Sequence, residues 1–185
     1  MPVFISMLRG VNVGGHNRIR MDALSEMYKA LKLEDACSYV QSGNVIFRTK
    51  EKNPVGLAKK IQEEIRKKFG FAPQVMLRNS AEMRAVIAAN PFPKQTATEP
   101  GKVLVTFLAD EPPKDAQSTL DALSKEHPEE LCLKGCELFI YFPNGAGQSK
   151  LPWSQVEKLF KVPGTARNWN TVVKLLALAE QLESA

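Results

Sequence analysis

Two stretches of this chain repeat one order of elements. Residues 1–90 carry patterns for strand, helix, strand, strand, helix, strand and a trailing helix, and residues 102–185 carry the same succession again. A β-α-β-β-α-β order is the split arrangement of ferredoxin-like domains. The chain is therefore expected to be α+β, with two tandem ferredoxin-like (βαββαβ) subdomains, each bearing an extra C-terminal helix. The expected boundaries are a first subdomain at residues 1–90, a polar linker at 91–101 and a second subdomain at 102–185. A chain of 185 residues can bury cores of this kind without metals or crosslinks.

In the first copy, Val3–Leu8 is dense in apolar residues and reads as a strand. Residues 22–32 place Leu24, Met27, Tyr28 and Leu31 at helical spacing, with Asp22 as the expected N-cap. Residues 38–41 and Asn44–Arg48 flank Ser42-Gly43, a hairpin pattern. Pro54–Phe69 reads as a helix that Pro54 opens and Gly70 ends. A strand at 74–77 and a helix at 80–89, capped by Ser80, complete the copy. The second copy has a strand at Val103–Leu108, a helix at 115–125 and a hairpin around Lys134-Gly135. A capping-box pattern, Ser154 to Glu157, opens a short helix. A strand at 165–168 then precedes a helix at 171–182, capped by Asn170. The first strand is apolar on both alternation faces, with Val3, Ile5 and Met7 on one and Phe4 and Leu8 on the other. Both sheet faces should therefore be covered, by each other, by the extra helices or by a second subunit. A homodimer is one arrangement that would do this.

Composition narrows the class. Hydrophobic residues make up 44% of the chain and charged residues 24%, which argues against disorder. The apolar run at the N-terminus is short and broken by Ser6 and Arg9, unlike a signal peptide. No apolar stretch approaches the roughly 20 residues of a membrane span. A cytoplasmic protein without membrane association is expected. Three cysteines, Cys37, Cys132 and Cys136, are expected as free thiols. Neither they nor His127 give the spacing of a metal site, and no cofactor fingerprint is present. Charge is uneven. Residues 1–90 hold 15 Lys and Arg against 8 Asp and Glu, a net +7, and the rest hold 10 against 12.

Three segments carry chemistry worth following. The first, Leu8 to Arg20, contains Gly10, Gly14 and Gly15 with Arg9, Arg18 and Arg20. Glycines expose backbone N–H groups that form anion nests, and guanidinium forks match phosphate or carboxylate oxygens. Asn12 and Asn17 add donors. Neither G-x-G-x-x-G nor a Gly-Lys-Ser/Thr loop is present. The second is Gln41-Ser42-Gly43-Asn44, where Ser42 and Asn44 should lie near the end of the first strand. The third runs from Thr165 to Lys174, where Arg167, Asn168, Asn170, Thr171 and Lys174 surround the start of the last helix. The Pro143 to Lys150 stretch reads as a surface loop. His16 is the one histidine near these groups, and it has no named acid–base partner.

These same stretches resemble a bacterial family. The family pattern reads L-R-G-[IV]-N-V-G-G-x-N near the start, then Y-[IV]-Q-S-G-N-V-[IV]-F, and T-x-R-N-x-N-T-x-x-K-L near the end. Leu8 to Asn17, Tyr39 to Phe47 and Thr165 to Leu176 fit it, with His16 at a variable place. The family is that of domain of unknown function 1697. The resemblance implies two ferredoxin-like subdomains and no activity.

The expected function is binding of a small anionic ligand, phosphate- or carboxylate-bearing, by Arg9, Gly10, Asn12, Gly14, Gly15, Asn17, Arg18, Ser42 and Asn44 on one side. Arg167, Asn168, Asn170, Thr171 and Lys174 are expected on the other. Two alternatives stand beside it. One is nucleic-acid binding by the basic half, although only Phe47 offers an aromatic on the third strand and the RNP1 pattern is missing. The other is an enzyme acting on a phosphorylated substrate, although no activated nucleophile or metal cluster supports it.

Overall fold

The computed structural model describes residues 1–185. In chain order its elements are β1 (Val3–Leu8), α1 (Met21–Ala30), β2 (Glu34–Tyr39), β3 (Asn44–Arg48), α2 (Pro54–Phe69), β4 (Val75–Asn79) and α3 (Ser80–Ala88). There follow α4 (Pro93–Thr98), β5 (Val103–Leu108), α5 (Ala116–Ser124), β6 (Glu130–Lys134), β7 (Glu137–Tyr141), α6 (Trp153–Phe160), β8 (Gly164–Asn168) and α7 (Trp169–Ser184). Two four-stranded antiparallel sheets have the orders β2-β3-β1-β4 and β6-β7-β5-β8. Each is the ferredoxin-like strand order, so the tandem α+β layout holds. No helix is long and apolar enough to cross a membrane.

The chain divides into two compact units, residues 1–84 with 174–185, and residues 85–173. The divisions fall inside α3 and α7. Residues 91–101, expected as a polar linker, are folded into α4 and a 3-10 turn at Pro100–Lys102. The reason is local. The Asn90 side chain accepts from the Phe92 N–H at 2.9 Å and donates to Thr96 Oγ1 at 2.8 Å, while Phe92 is buried and Pro93 starts the helix.

In the first unit, one sheet face presents Phe4, Leu8, Val45, Phe47 and Leu77 to α1 and α2. Leu24, Met27 and Tyr28 of α1 and Leu57, Ile61 and Ile65 of α2 complete this core. The spacing of those residues gives each helix one apolar stripe. The opposite face is buried too: Val3, Ile5 and Met7 are each 0–1% exposed. Part of its cover is the end of α7. Leu178 and Leu182 lie against Cys37 and Ile46 around a cavity of about 200 Å³. The Arg48 guanidinium donates to the Leu182 carbonyl, and Arg84 pairs with Glu180 and Glu183 at 2.7 and 2.8 Å. The last helix of the second sequence copy thus ends on the first sheet.

The second unit repeats the core with Leu108, Leu120, Leu138, Ile140, Val156 and Phe160. Its other sheet face, Val103, Val105, Phe107 and Phe139, is also fully buried.

Four helix starts differ from the expected caps. Arg20 occupies the cap position of α1, and Asp22 lies one residue into the helix. Asn79, not Ser80, caps α3: its Oδ1 accepts from the Glu82 N–H at 2.9 Å, and Glu82 Oε2 accepts from the Asn79 N–H at 2.7 Å. The α6 helix starts at Trp153 behind Pro152, without the Ser154 cap. At α7, Asn168 Oδ1 accepts from the Asn170 N–H at 3.0 Å, so Asn168 takes the role expected of Asn170. At α3 and α7 the strand runs straight into the helix. The strand's final residue is then the one placed to cap.

Tyr28 gives this fold an alkaline limit. It is fully buried, and its hydroxyl shares a 2.7 Å hydrogen bond with Ser6 Oγ. Burial pushes the phenol well above its usual value, against a smaller opposing effect of the Ser6 bond. The folded chain holds this proton where the unfolded chain releases it. Stability is thus fully present below pH about 10 and falls as pH rises further. Unfolding titrations should show a shallower alkaline slope in Tyr28→Phe than in the wild type, the remainder coming from groups such as Tyr141, which its hydrogen bond to Glu99 also raises; equal slopes would refute the assignment.

Candidate functional site

The segment after β1 is a compact loop braced by its own asparagines. Gly10, Asn12, Gly14, Gly15 and Asn17 all have positive φ, between 51° and 80°. Asn12 Nδ2 donates to Ile19 O at 3.0 Å and to Gln41 O at 2.8 Å, and its Oδ1 accepts from the Ile19 N–H at 2.9 Å. Asn17 Nδ2 donates to Gly10 O at 3.3 Å, and the Asn12 N–H donates to Asn17 O at 3.2 Å. These two asparagines, expected as ligand donors, hold the loop's shape. The His16 N–H donates to Val13 O, which leaves the Gly14 and Gly15 N–H groups at the turn unused within the loop.

The loop opens on a groove of about 710 Å³ lined by Asn12, Gly15, Arg18, Ile19, Arg20, Met21, Asp22 and Gln41. Arg18 is exposed, lies over Gly15 and has no carboxylate partner. Arg20 is different. Its Nε and Nη2 donate to Asp22 at 3.1 and 2.6 Å, and both side chains are largely exposed. That hydrogen bonding holds the Asp22 carboxyl below its usual range and raises the Arg20 guanidinium.

Of the expected residues, Asn12, Gly15 and Arg18 meet at this groove. Gly10, Gly14 and Asn17 belong to the same loop. Arg9 is half-buried, and its N–H donates to Gln74 O at 3.0 Å. It does not line the groove. Asn44 is fully buried opposite Met7, and its amide donates to Tyr39 O at 3.1 Å and Ser42 Oγ at 3.0 Å. Ser42 and Asn44 therefore close the hairpin. Gln41, beside them in sequence, reaches the groove instead, and it was not among the expected ligand residues. Asp22 was expected only as a cap, yet it also lines the groove.

The other expected cluster belongs to the second unit, apart from Lys174, which falls with the first. Arg167 is in strand β8, opposite Val105 and two residues from Thr165. Side chains two apart on a strand share a face. Both are buried on the sheet, and Arg167 is 6% exposed. Its Nη1 donates to Thr165 Oγ1 and Ala166 O, each at 2.8 Å. Burial pushes its pKa down to about 10, which leaves it charged at neutral pH. Asn168 Nδ2 donates to Gly101 O at 2.9 Å. Asn170 and Lys174 are exposed and Thr171 half-exposed.

Arg78-Asn79 of β4 repeats this arrangement in the first unit. Arg78 pairs with Ile5 as Arg167 pairs with Val105, and Arg78 Nη1 likewise donates to the preceding carbonyl, Leu77 O, at 2.9 Å. The shared register marks the Arg-Asn pair as a feature of the repeated fold.

Residues 1–139 match the model of a family described as protein of unknown function, DUF1697. That span includes the loop, the groove and the hairpin. No curated protein matches the chain. Among solved structures, the chain is similar to the conserved bacterial protein SP0830 from Streptococcus pneumoniae. The TM-score is 0.68 and the identity 21%, over 97% of this chain and 99% of that one. At that identity the likeness speaks for the fold.

Proposed function

The chain belongs to the DUF1697 family, and from its own groove we propose that it binds a small anionic ligand, phosphate- or carboxylate-bearing. The observation that carries this reading is Arg18 beside Gly15: an exposed guanidinium without an acid partner, next to two turn amides not used by the loop. Such a guanidinium and such amides are complementary to an oxyanion. The asparagine bracing supports the reading further, because a pre-shaped loop loses little conformational freedom on binding. Arg167 on the buried sheet face leaves the loop groove as the better supported part of the expected site.

Calorimetric titration with inorganic phosphate and with acetate tests the proposal. Arg18→Ala is expected to weaken binding about 10- to 100-fold, the size of a hydrogen bond to a charged group. Arg66→Ala, at an exposed arginine already paired with Glu63 at 2.8 Å, should leave it unchanged. Equal binding by wild type and Arg18→Ala would reject the groove as the site.

A further inference from the structure

The composition of the groove restricts the ligand beyond its being an anion, and this step rests on the reading just proposed. Its charges do not add up to a polyanion site. Arg20 is neutralised by Asp22, through hydrogen bonds of 3.1 and 2.6 Å. Arg18 is left as the one uncompensated cation among the lining residues. A second anionic group in the groove would face the Asp22 carboxylate, and like charges repel.

The remaining wall suits hydroxyl groups. Asp22 Oδ1 already accepts from Arg20 Nε and from the Ala23 N–H at 2.8 Å, whereas Oδ2 accepts only from Arg20. A carboxylate oxygen has room for another donor. The Gln41 side-chain amide has no intrachain hydrogen bond, so it offers both a donor and an acceptor. Ile19 and Met21 supply apolar surface between these groups, and no aromatic residue lines the groove. A nucleobase or a single strand would lack its stacking platform.

We infer that the groove takes a ligand with one anionic group on an uncharged, hydroxyl-bearing body, of the sugar-phosphate class. The anionic group meets Arg18 and the Gly14–Gly15 turn, and the hydroxyls meet Asp22 and Gln41.

The test titrates the full chain with inorganic phosphate, ribose 5-phosphate, tripolyphosphate and a single-stranded oligothymidylate. Ribose 5-phosphate should bind at least about tenfold tighter than each of the others, a gain on the scale of one or two added hydrogen bonds. Asp22→Asn should weaken ribose 5-phosphate several-fold and strengthen tripolyphosphate, because it removes the carboxylate and releases Arg20. Gln41→Ala gives an independent check and should weaken ribose 5-phosphate by a larger factor than it weakens phosphate. If phosphate binds through Arg18 but ribose 5-phosphate is no tighter, or a polyanion binds best, this inference is overturned and the anion site stands. If no anion binds, both fall.

Discussion

Phe47→Ala is expected to lower the free energy of unfolding by about 3–5 kcal/mol. Phe47 is fully buried in β3, with its ring 5.4 Å from Tyr28 in an edge-on arrangement and 6.3 Å from Phe4. It sits where the sheet meets α1, so its removal takes away contacts from a strand and a helix together. The surrounding rings are held by their own backbones, and the hole cannot close fully. Domains carry only about 5–15 kcal/mol in total, so this one change leaves little margin. Phe47→Leu, which keeps most of the volume, should cost about 1.5 kcal/mol or less. Val55→Ala, at an exposed position of α2, should stay within about 0.5 kcal/mol. Urea unfolding followed by circular dichroism ranks the three. A cost below about 1 kcal/mol for Phe47→Ala would mean that the helix-facing core is not what holds this unit together.

The same residues explain what the sequence could reveal. Apolar residues on both alternation faces of Val3–Leu8 were enough to foretell that both sheet faces are covered. They could not name the cover, because amphipathicity says which side of a helix is buried and not against what. The end of α7 on the first sheet is a contact between residues more than a hundred positions apart, such as Arg48 with Leu182. The glycine-rich loop was legible, but the roles of its asparagines were not, since Asn12 finds Gln41 29 positions away. The sequence places Arg167 in a short strand beside the tip of the last helix, a position that suits either a ligand site or the sheet. Its burial was written in the strand period all the same: Thr165 and Arg167 are buried, while Ala166 between them is exposed. The Arg-Asn pair at 78–79 gave a further cue, because a dipeptide repeated at the same place in both copies points to the scaffold before it points to a ligand.

Gly43→Ala should destabilise the chain by about 2–5 kcal/mol, whereas Gly135→Ala should cost only about 1 kcal/mol. Both glycines lie in the hairpin between the second and third strands of their units, and both have positive φ, 75° and 58°. The left-handed backbone penalises alanine at either place. They differ in what the new methyl meets. At Gly43 it would lie 3.0 Å from Leu8 Cβ and 3.2 Å from Val11 Cβ, whereas nothing lies within 4 Å at Gly135. A Cβ is fixed by its backbone, so no rotamer change relieves the clash. The hairpin must move away from the end of β1, stretching the 3.0 Å bond from the Leu8 N–H to Gly43 O. That movement carries Gln41, whose carbonyl anchors Asn12. Gly43→Ala is therefore expected to weaken phosphate binding several-fold as well, with Gly135→Ala leaving it unchanged. Thermal unfolding and calorimetry on both variants separate the two contributions. Equal losses at the two glycines would show that backbone conformation alone requires glycine there, and that the close packing of the hairpin against the loop neither stabilises the unit nor shapes the groove.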